Sequence, residues 1–239
     1  MSARADVSAS RSQPPPLTPR RLIGGLVLLG ATAAGFLALA GRLDWVEGWV
    51  FVLGFATFAN GLGLWLRKAD PDLLRERQRR AANVEPWDRR VVRIHGALFV
   101  ATLIVAALDA GRFRWSRVPL PTELLAWAGL VAVFVVIVHV FRVNSFLSGH
   151  ARIQHDRGHT VVTTGLYSVV RHPMYLAIVG LAFLLPLALG SLWALLPGAL
   201  MAGLFVYRTA REDRMLLGGL PGYPEYAARV RYRLLPGVW

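Results

Sequence analysis

Arg208 and Glu212 stand four residues apart where a long uncharged run gives way to charge, and on a helix they share a face. An arginine fork can hold an anionic group while a glutamate accepts hydrogen bonds from a ligand. The plainer reading of the pair is an i,i+4 ion pair at a membrane interface, with Arg208 snorkelling. Asp213, one residue on, points about 100° away and is expected to face water. A second group lies at the other end of the run: His159, Thr160, Tyr167, the Arg171-His172-Pro173 step and Tyr175. His150, His155 and His159 are spaced five and four apart, so only the last two could share a helical face, and Gly158 weakens a helix there. With no Cys or Glu ligand alongside, these histidines do not compose a zinc set, and no metal site is expected. His95 and His139 fall inside apolar runs and read as satisfied packing residues.

The elements that must position these groups are membrane helices. Met174 to Tyr207 is 34 residues without a charge, ~51 Å as one helix and too long for a single crossing. Pro186 and Gly190-Ser191 supply a break, so two helices are expected, the first starting at Pro173, because proline suits a helix's first turn. The second continues past the bilayer to about Leu217 and carries Arg208 and Glu212 out. Upstream, spans are expected over Leu22–Gly41, Trp45–Leu66, Val91–Ala110 and Glu123–Phe141, with Trp45 and Trp49 in an interfacial belt. Leu22–Gly41, with Arg20-Arg21 before it and Ala38-Leu-Ala40 at its end, also resembles a signal peptide, but reads as a retained helix.

The segments are then a disordered, Pro-rich tail at 1–21, a block of four transmembrane helices at 22–145, and a core at 146–239. A basic connector at 67–90 carries a short surface helix with Glu76 and Arg80 at i,i+4. The C-terminal stretch from Pro221 is too polar to span and is expected to fold back as a cap over the mouth of the site. The fold class is an all-α integral-membrane protein of six helices, the last two a hairpin.

At 239 residues, 55% hydrophobic, with mean hydropathy +0.45, the chain is too apolar for an ordinary soluble domain. The net charge of +13 sits in the gaps between apolar runs, so lipid headgroups rather than nucleic acid are the expected counter-charge. Of 27 Lys and Arg residues, 23 fall on one side of a six-span arrangement and 4 on the other. By the positive-inside rule both termini and both polar clusters face the cytoplasm. Cysteine is absent, which excludes disulfides and thiolate chemistry.

Four stretches together resemble one family: Val161-Val-Thr-Thr-Gly-Leu-Tyr167, Arg171-His-Pro-Met-Tyr175, Arg208-x3-Glu212-Asp213-x2-Leu216, and Tyr226-x2-Arg-Val-x2-Arg-Leu-Leu-Pro236. They are similar to the isoprenylcysteine carboxyl methyltransferases and their bacterial membrane relatives, which share a core with phospholipid N-methyltransferases. Pro71-Asp-Leu-Leu-Arg-Glu-Arg77 and Pro86-Trp-Asp-Arg89 resemble the bacterial branch less specifically. The resemblance implies S-adenosylmethionine as cofactor, released as S-adenosylhomocysteine. Its contacts would be Gln154, His159, Thr160, Val161, Val162, Tyr167, His172, Pro173, Met174, Tyr175 and Glu212. Arg208 would be the catalytic, substrate-binding residue at the acceptor, an amphiphilic small molecule or lipidated chain entering from the bilayer. The expected reaction is O-methylation of a prenyl-type carboxylate, since a carboxylate is already a nucleophile whereas an amine must first lose a proton. The alternatives are phospholipid N-methylation, an NADPH-dependent sterol-reductase-like enzyme, and a non-enzymatic transporter or scaffold.

Overall fold

The computed structural model describes residues 19–78 and 84–239, and these contain helices and loops with no strand. The helices are α1 (Pro19–Ala40), α2 (Val46–Ala69), α3 (Pro71–Gln78), α4 (Pro86–Ala106, running on as a π-helical turn Ala107–Phe113), α5 (Leu120–Val143), α6 (Pro173–Ala188), α7 (Leu195–Gly219) and α8 (Tyr223–Arg229). Four segments are long and apolar enough to cross a membrane: Ile23–Ala40 and Val46–Ala69, then Pro86–Phe113 and Leu120–Val143. Pro173–Ala188 is a shorter apolar helix. The expected tail at 1–21 lies outside the described residues except for 19–21, which open α1.

Of the two prolines given a role from the sequence, Pro173 starts its helix as expected and Pro186 does not break its own. Pro86 and Pro173 occupy the first turns of α4 and α6, where no N–H is needed. Pro186 lies inside α6 instead of breaking it, and the chain reverses at Gly190, whose φ of +76° suits glycine. The third span begins earlier and ends later than the charges at Arg93 and Asp109 suggested. Asp109 is tolerated because it is buried: it accepts hydrogen bonds from Ser116 N (2.8 Å), Ser116 Oγ (2.7 Å), Ser191 Oγ (2.6 Å) and Trp193 N (3.2 Å). That cluster ties the π turn to the α6–α7 turn at the end of the bundle far from Arg208. Trp45 is not in an interfacial belt. It is 2% exposed, packed against Phe36 in the core, and only Trp49 faces outward.

α6 is the central element, packed along α5 on one side and α7 on the other. Glycines set the approach, as expected of helices in lipid, where close backbone contact replaces hydrophobic drive. A Cβ at Gly129 would meet Leu184 at 2.9 Å, one at Gly180 would meet Val133 at 3.2 Å, and one at Gly198 would collide with the carbonyl oxygen of Ala182. α3 is not a loose surface helix: Leu73, Leu74 and Glu76 are buried, with Leu73 and Leu74 in a cluster with Leu66 and Phe141. Glu76 pairs with Arg152 at 2.9 Å across the chain, and the expected partner Arg80 lies outside the described residues.

Gly198→Ala and Gly203→Ala separate packing from propensity on one helix. Nothing lies within 4 Å of a Cβ at Gly203, so that change should hold or raise the melting temperature by the helix preference of alanine, ~0.5–1 kcal/mol. Gly198→Ala should lower it, by ~1–3 kcal/mol of overpacking, as read by thermal unfolding in detergent.

Candidate active site

A cavity of about 400 Å³ opens where α4, α5, α6 and α7 meet the 144–172 loop and α8. Its floor is apolar, made by Val92, Ile137, Phe141, Ile178 and Phe205, and its upper wall is polar. Ten of the expected site residues line it: His159, Thr160, Val161, Val162, Tyr167, His172, Met174, Tyr175, Arg208 and Glu212. Two do not. Pro173 is buried behind the wall as the first residue of α6. Gln154 is 1% exposed, its amide donating to Phe146 O (2.6 Å) and accepting from Arg157 (2.5 Å), so it shapes the loop.

Arg208 and Glu212 do share a face, but they are not each other's ion pair. Arg208 Nε lies 2.9 Å from Asp88 Oδ1, its Nη2 donates to Gly149 O (3.2 Å), and its guanidinium covers the Tyr175 ring at 5.1 Å. Asp88 is fully buried and also receives Ala151 N (3.0 Å) and His150 Nδ1 (3.1 Å). Asp88 is therefore a site residue that sequence reasoning left without a role. The available signal was a lone acid in the first turn of a helix about to enter the membrane, a place where only a paired carboxylate is tolerable. Glu212 accepts a hydrogen bond from the Tyr175 hydroxyl. The Tyr175 ring in turn lies parallel to His172 at 5.6 Å.

Asp213 does not face water. It is fully buried and gathers Arg171 (3.1 Å), His172 Nε2 (3.3 Å), Arg233 Nε (2.8 Å) and the Tyr223 hydroxyl (2.9 Å). The face 100° from Glu212 meets the chain's own C-terminal segment instead of solvent. Arg171 N and His172 N donate to Tyr232 O and Arg233 O, both at 2.9 Å, so the tail pairs with the start of α6. Burial would raise the Asp213 carboxyl, but the bonds from His172, Arg233 and Tyr223 outweigh it and hold it well below the usual carboxylate range.

The loop wall has its own logic. His155–Arg157 is a single 3₁₀ turn closed by Gly158 at φ +61°, so His155 and His159 never share a helix. Burial, helped by the charges of Arg157, His155 and Arg152, lowers His159 to about 4. Its ring is neutral at pH 7, with Nδ1 facing Gln154 N at 3.4 Å and its plane against Phe146. Residues 160–162 then run without regular structure, and none of their three N–H groups has a partner among the described residues. Tyr167 is buried, its hydroxyl accepting from Asn144 Nδ2 at 2.6 Å and its carbonyl from the Tyr226 hydroxyl at 2.7 Å. His139 accepts a hydrogen bond from Leu166 N at 3.4 Å, as a packing residue should. His95 differs: it lines the cavity against Phe205 (4.8 Å), and its buried Nδ1 has no partner.

Removing Asp213 should leave two guanidiniums uncompensated, so Asp213→Ala should cost ~3–5 kcal/mol. Asp44→Ala, which breaks an exposed pair with Arg42, should leave the melting temperature almost unchanged; thermal unfolding compares them. Acid should also destabilise the fold in two steps. The unfolded chain protonates His159 from its ordinary 6.5 downward while the folded chain waits until about 4, so stability falls as pH drops through that window. Asp213, depressed in the folded state, stabilises above its ordinary 3.8 and loses that contribution at lower pH still. His159→Gln should flatten the upper step only, in melting temperature measured against pH.

Comparison with known proteins reaches the same segment. The model of the isoprenylcysteine carboxyl methyltransferase (ICMT) family matches residues 128–218, which run from α5 to α7. The cobalt-zinc-cadmium resistance protein CzcN of Cupriavidus metallidurans is 33% identical over 135 residues, 54% of this chain. The match spans 57% of the length of that protein. The family match points to a membrane methyltransferase, in agreement with the resemblance carried by the Arg171-His-Pro-Met-Tyr175 and Arg208-x3-Glu212 motifs. Residues 128–218, the segment similar to that family, carry Arg208, Glu212 and most of the cavity wall.

Proposed function

We propose that the protein is an integral-membrane methyltransferase using S-adenosylmethionine, and that it O-methylates a prenyl-type or other amphiphilic carboxylate at the cytoplasmic face of the inner membrane. In this reading α6 and α7 form a hairpin that completes six spans, and the segment from Tyr223 onward caps the site. The observation that carries it is one cavity with two halves: an apolar floor continuous with the helix bundle, and a polar wall presenting Arg208 and Glu212.

The residues fit the cofactor. Glu212 offers a carboxylate to hydroxyl or amine donors, and the unpaired N–H groups of 160–162 suit the acceptors of a base or a carboxylate. The aromatic faces of Tyr175, Tyr167 and Phe146 suit a sulfonium cation. When bound, S-adenosylmethionine supplies a methyl group on sulfonium sulfur, which an acceptor carboxylate oxygen displaces to leave a methyl ester and the neutral thioether S-adenosylhomocysteine.

The chain's own work is to orient and to exclude water. Arg208 binds the acceptor anion with nitrogens left over from Asp88 and Gly149. Asp88 matters here because a bare guanidinium would damp the nucleophile, whereas one already paired positions it with less withdrawal of charge. A carboxylate needs no proton removed, so this chemistry asks for no general base beside Arg208. The C-terminal segment, fixed on Asp213, shuts the polar side.

Calorimetric titration of detergent-purified protein should show S-adenosylmethionine and S-adenosylhomocysteine binding, with NADPH as control. Glu212→Ala should weaken both by about tenfold or more, the scale of one charge-assisted hydrogen-bonding group. Arg208→Ala should lower turnover more than cofactor affinity. NADPH binding in place of the pair would overturn the assignment in favour of a reductase, and unchanged affinity in Glu212→Ala would overturn the site.

A further inference from the structure

Four arginines line the cavity: Arg77, Arg152, Arg171 and Arg208. Three are matched by carboxylates. Arg152 meets Glu76 at 2.9 Å and Asp156 at 2.9 Å, Arg171 meets Asp213 at 3.1 Å, and Arg208 meets Asp88 at 2.9 Å. Arg77 has no acid partner among the described residues. Its Nη1 donates to Leu147 O at 3.0 Å and its guanidinium lies over the Phe141 ring at 5.0 Å, which fixes the side chain and leaves two nitrogens uncommitted. Leu147 and Phe141 are themselves cavity residues, so the unmatched cation is held at the apolar end, where acceptor headgroup and hydrocarbon would meet.

We infer that Arg77, carried by α3 outside the residues 128–218 that match the family model, is a specificity-determining residue that selects acceptors bearing an anionic headgroup. The inference rests on the methyltransferase reading only in calling the bound amphiphile an acceptor. Two like charges near one small cavity are unfavourable until an anion sits with them, and burial together with the Arg208 charge lowers the Arg77 pKa, as that crowding requires. Asp88 already balances Arg208, whereas Arg77 has no carboxylate of its own among the described residues. Pinned on a carbonyl and a ring, it meets an incoming anion with little rotamer freedom left to lose. α3 is held for this task by Leu73 and Leu74 in the core and by Glu76 on Arg152. A carboxylate and a phosphodiester share the chemistry; a neutral or purely cationic head does not.

The test is binding of three amphiphiles to the full-length protein in non-ionic detergent, with and without S-adenosylhomocysteine: N-palmitoylglycine, its uncharged amide, and lysophosphatidylglycerol. The wild type should bind an anionic probe at least about tenfold tighter than the amide, the scale of a charge-assisted contact. Arg77→Gln should bring that ratio near one, Arg77→Lys should restore part of it, and S-adenosylhomocysteine affinity should stay within about twofold of wild type in both. Preference for N-palmitoylglycine alone identifies a carboxylate head, and preference for the lysolipid alone a phosphodiester. A wild-type ratio near one, or a ratio that survives Arg77→Gln, overturns the inference. Failure of the wild type to bind S-adenosylhomocysteine, with the ratio and its loss intact, overturns the methyltransferase reading and leaves the anion site standing.

Discussion

A buried carboxylate beside several cations is the interaction on which the site depends. Asp213 alone would be costly to bury, and Arg171 and Arg233 would be costly near an apolar floor. Together with His172 and Tyr223 they form one satisfied cluster, and the cluster joins three parts of the chain that are distant in sequence. The start of α6 and the face of α7 are thereby brought to the C-terminal segment. Without it the polar wall of the cavity would have no reason to close. Glu212, the neighbour of Asp213, is left free to point inward because the adjacent residue takes the whole structural load of that helix turn.

A buried carboxylate gathering donors from separate segments is used twice more. Asp88 holds Arg208 and, through His150 and Ala151, the loop after α5. Asp109 holds the far turn to the π-helical end of α4. Each carboxylate lies near the end of a long apolar helix, where hydrogen-bond donors from loops can reach it, and none lies at the middle of a span, where they could not.

What the sequence disclosed follows from the kind of signal each feature leaves. Apolar runs of span length are additive over about 20 residues, so the helices of the first 145 residues were legible to within a few positions. Arg208, Glu212, His172 and Tyr175 were legible because their spacing is local, one on a helix face and the other around Pro173. Asp213 was misread because facing water is a tertiary fact: a residue 100° from the cavity faces solvent only if nothing else packs there, and residues 223–239 do. The pairings of Glu76 with Arg152 and of Asp88 with Arg208 link residues 76 and 120 positions apart, and nothing in an i,i+4 rule reaches that far. Pro186 was misread for a different reason. It sits in the last turn of α6, which ends at Ala188, so its missing N–H costs the helix little, and Ser191 N donates to the Pro186 carbonyl at 2.9 Å as the chain turns.

The division of labour between the two halves of the chain follows from these links. The segment from α5 to α7 carries the groups that face the cavity's polar side, and it is the part whose sequence pattern recurs in the family. The first half supplies Asp88, which sets the charge state felt by Arg208, together with His95, Val92 and Arg77 at the apolar end. The polar wall and part of the apolar end are therefore encoded in different stretches, joined by buried pairs such as Asp88–Arg208 and Glu76–Arg152 and by apolar packing such as Leu73 and Leu74 on Phe141. A chain built this way can keep its polar wall while the first half is altered, provided the carboxylate behind Arg208 stays. Loss of that carboxylate would strand a guanidinium against an apolar floor, a cost that neither half can compensate alone.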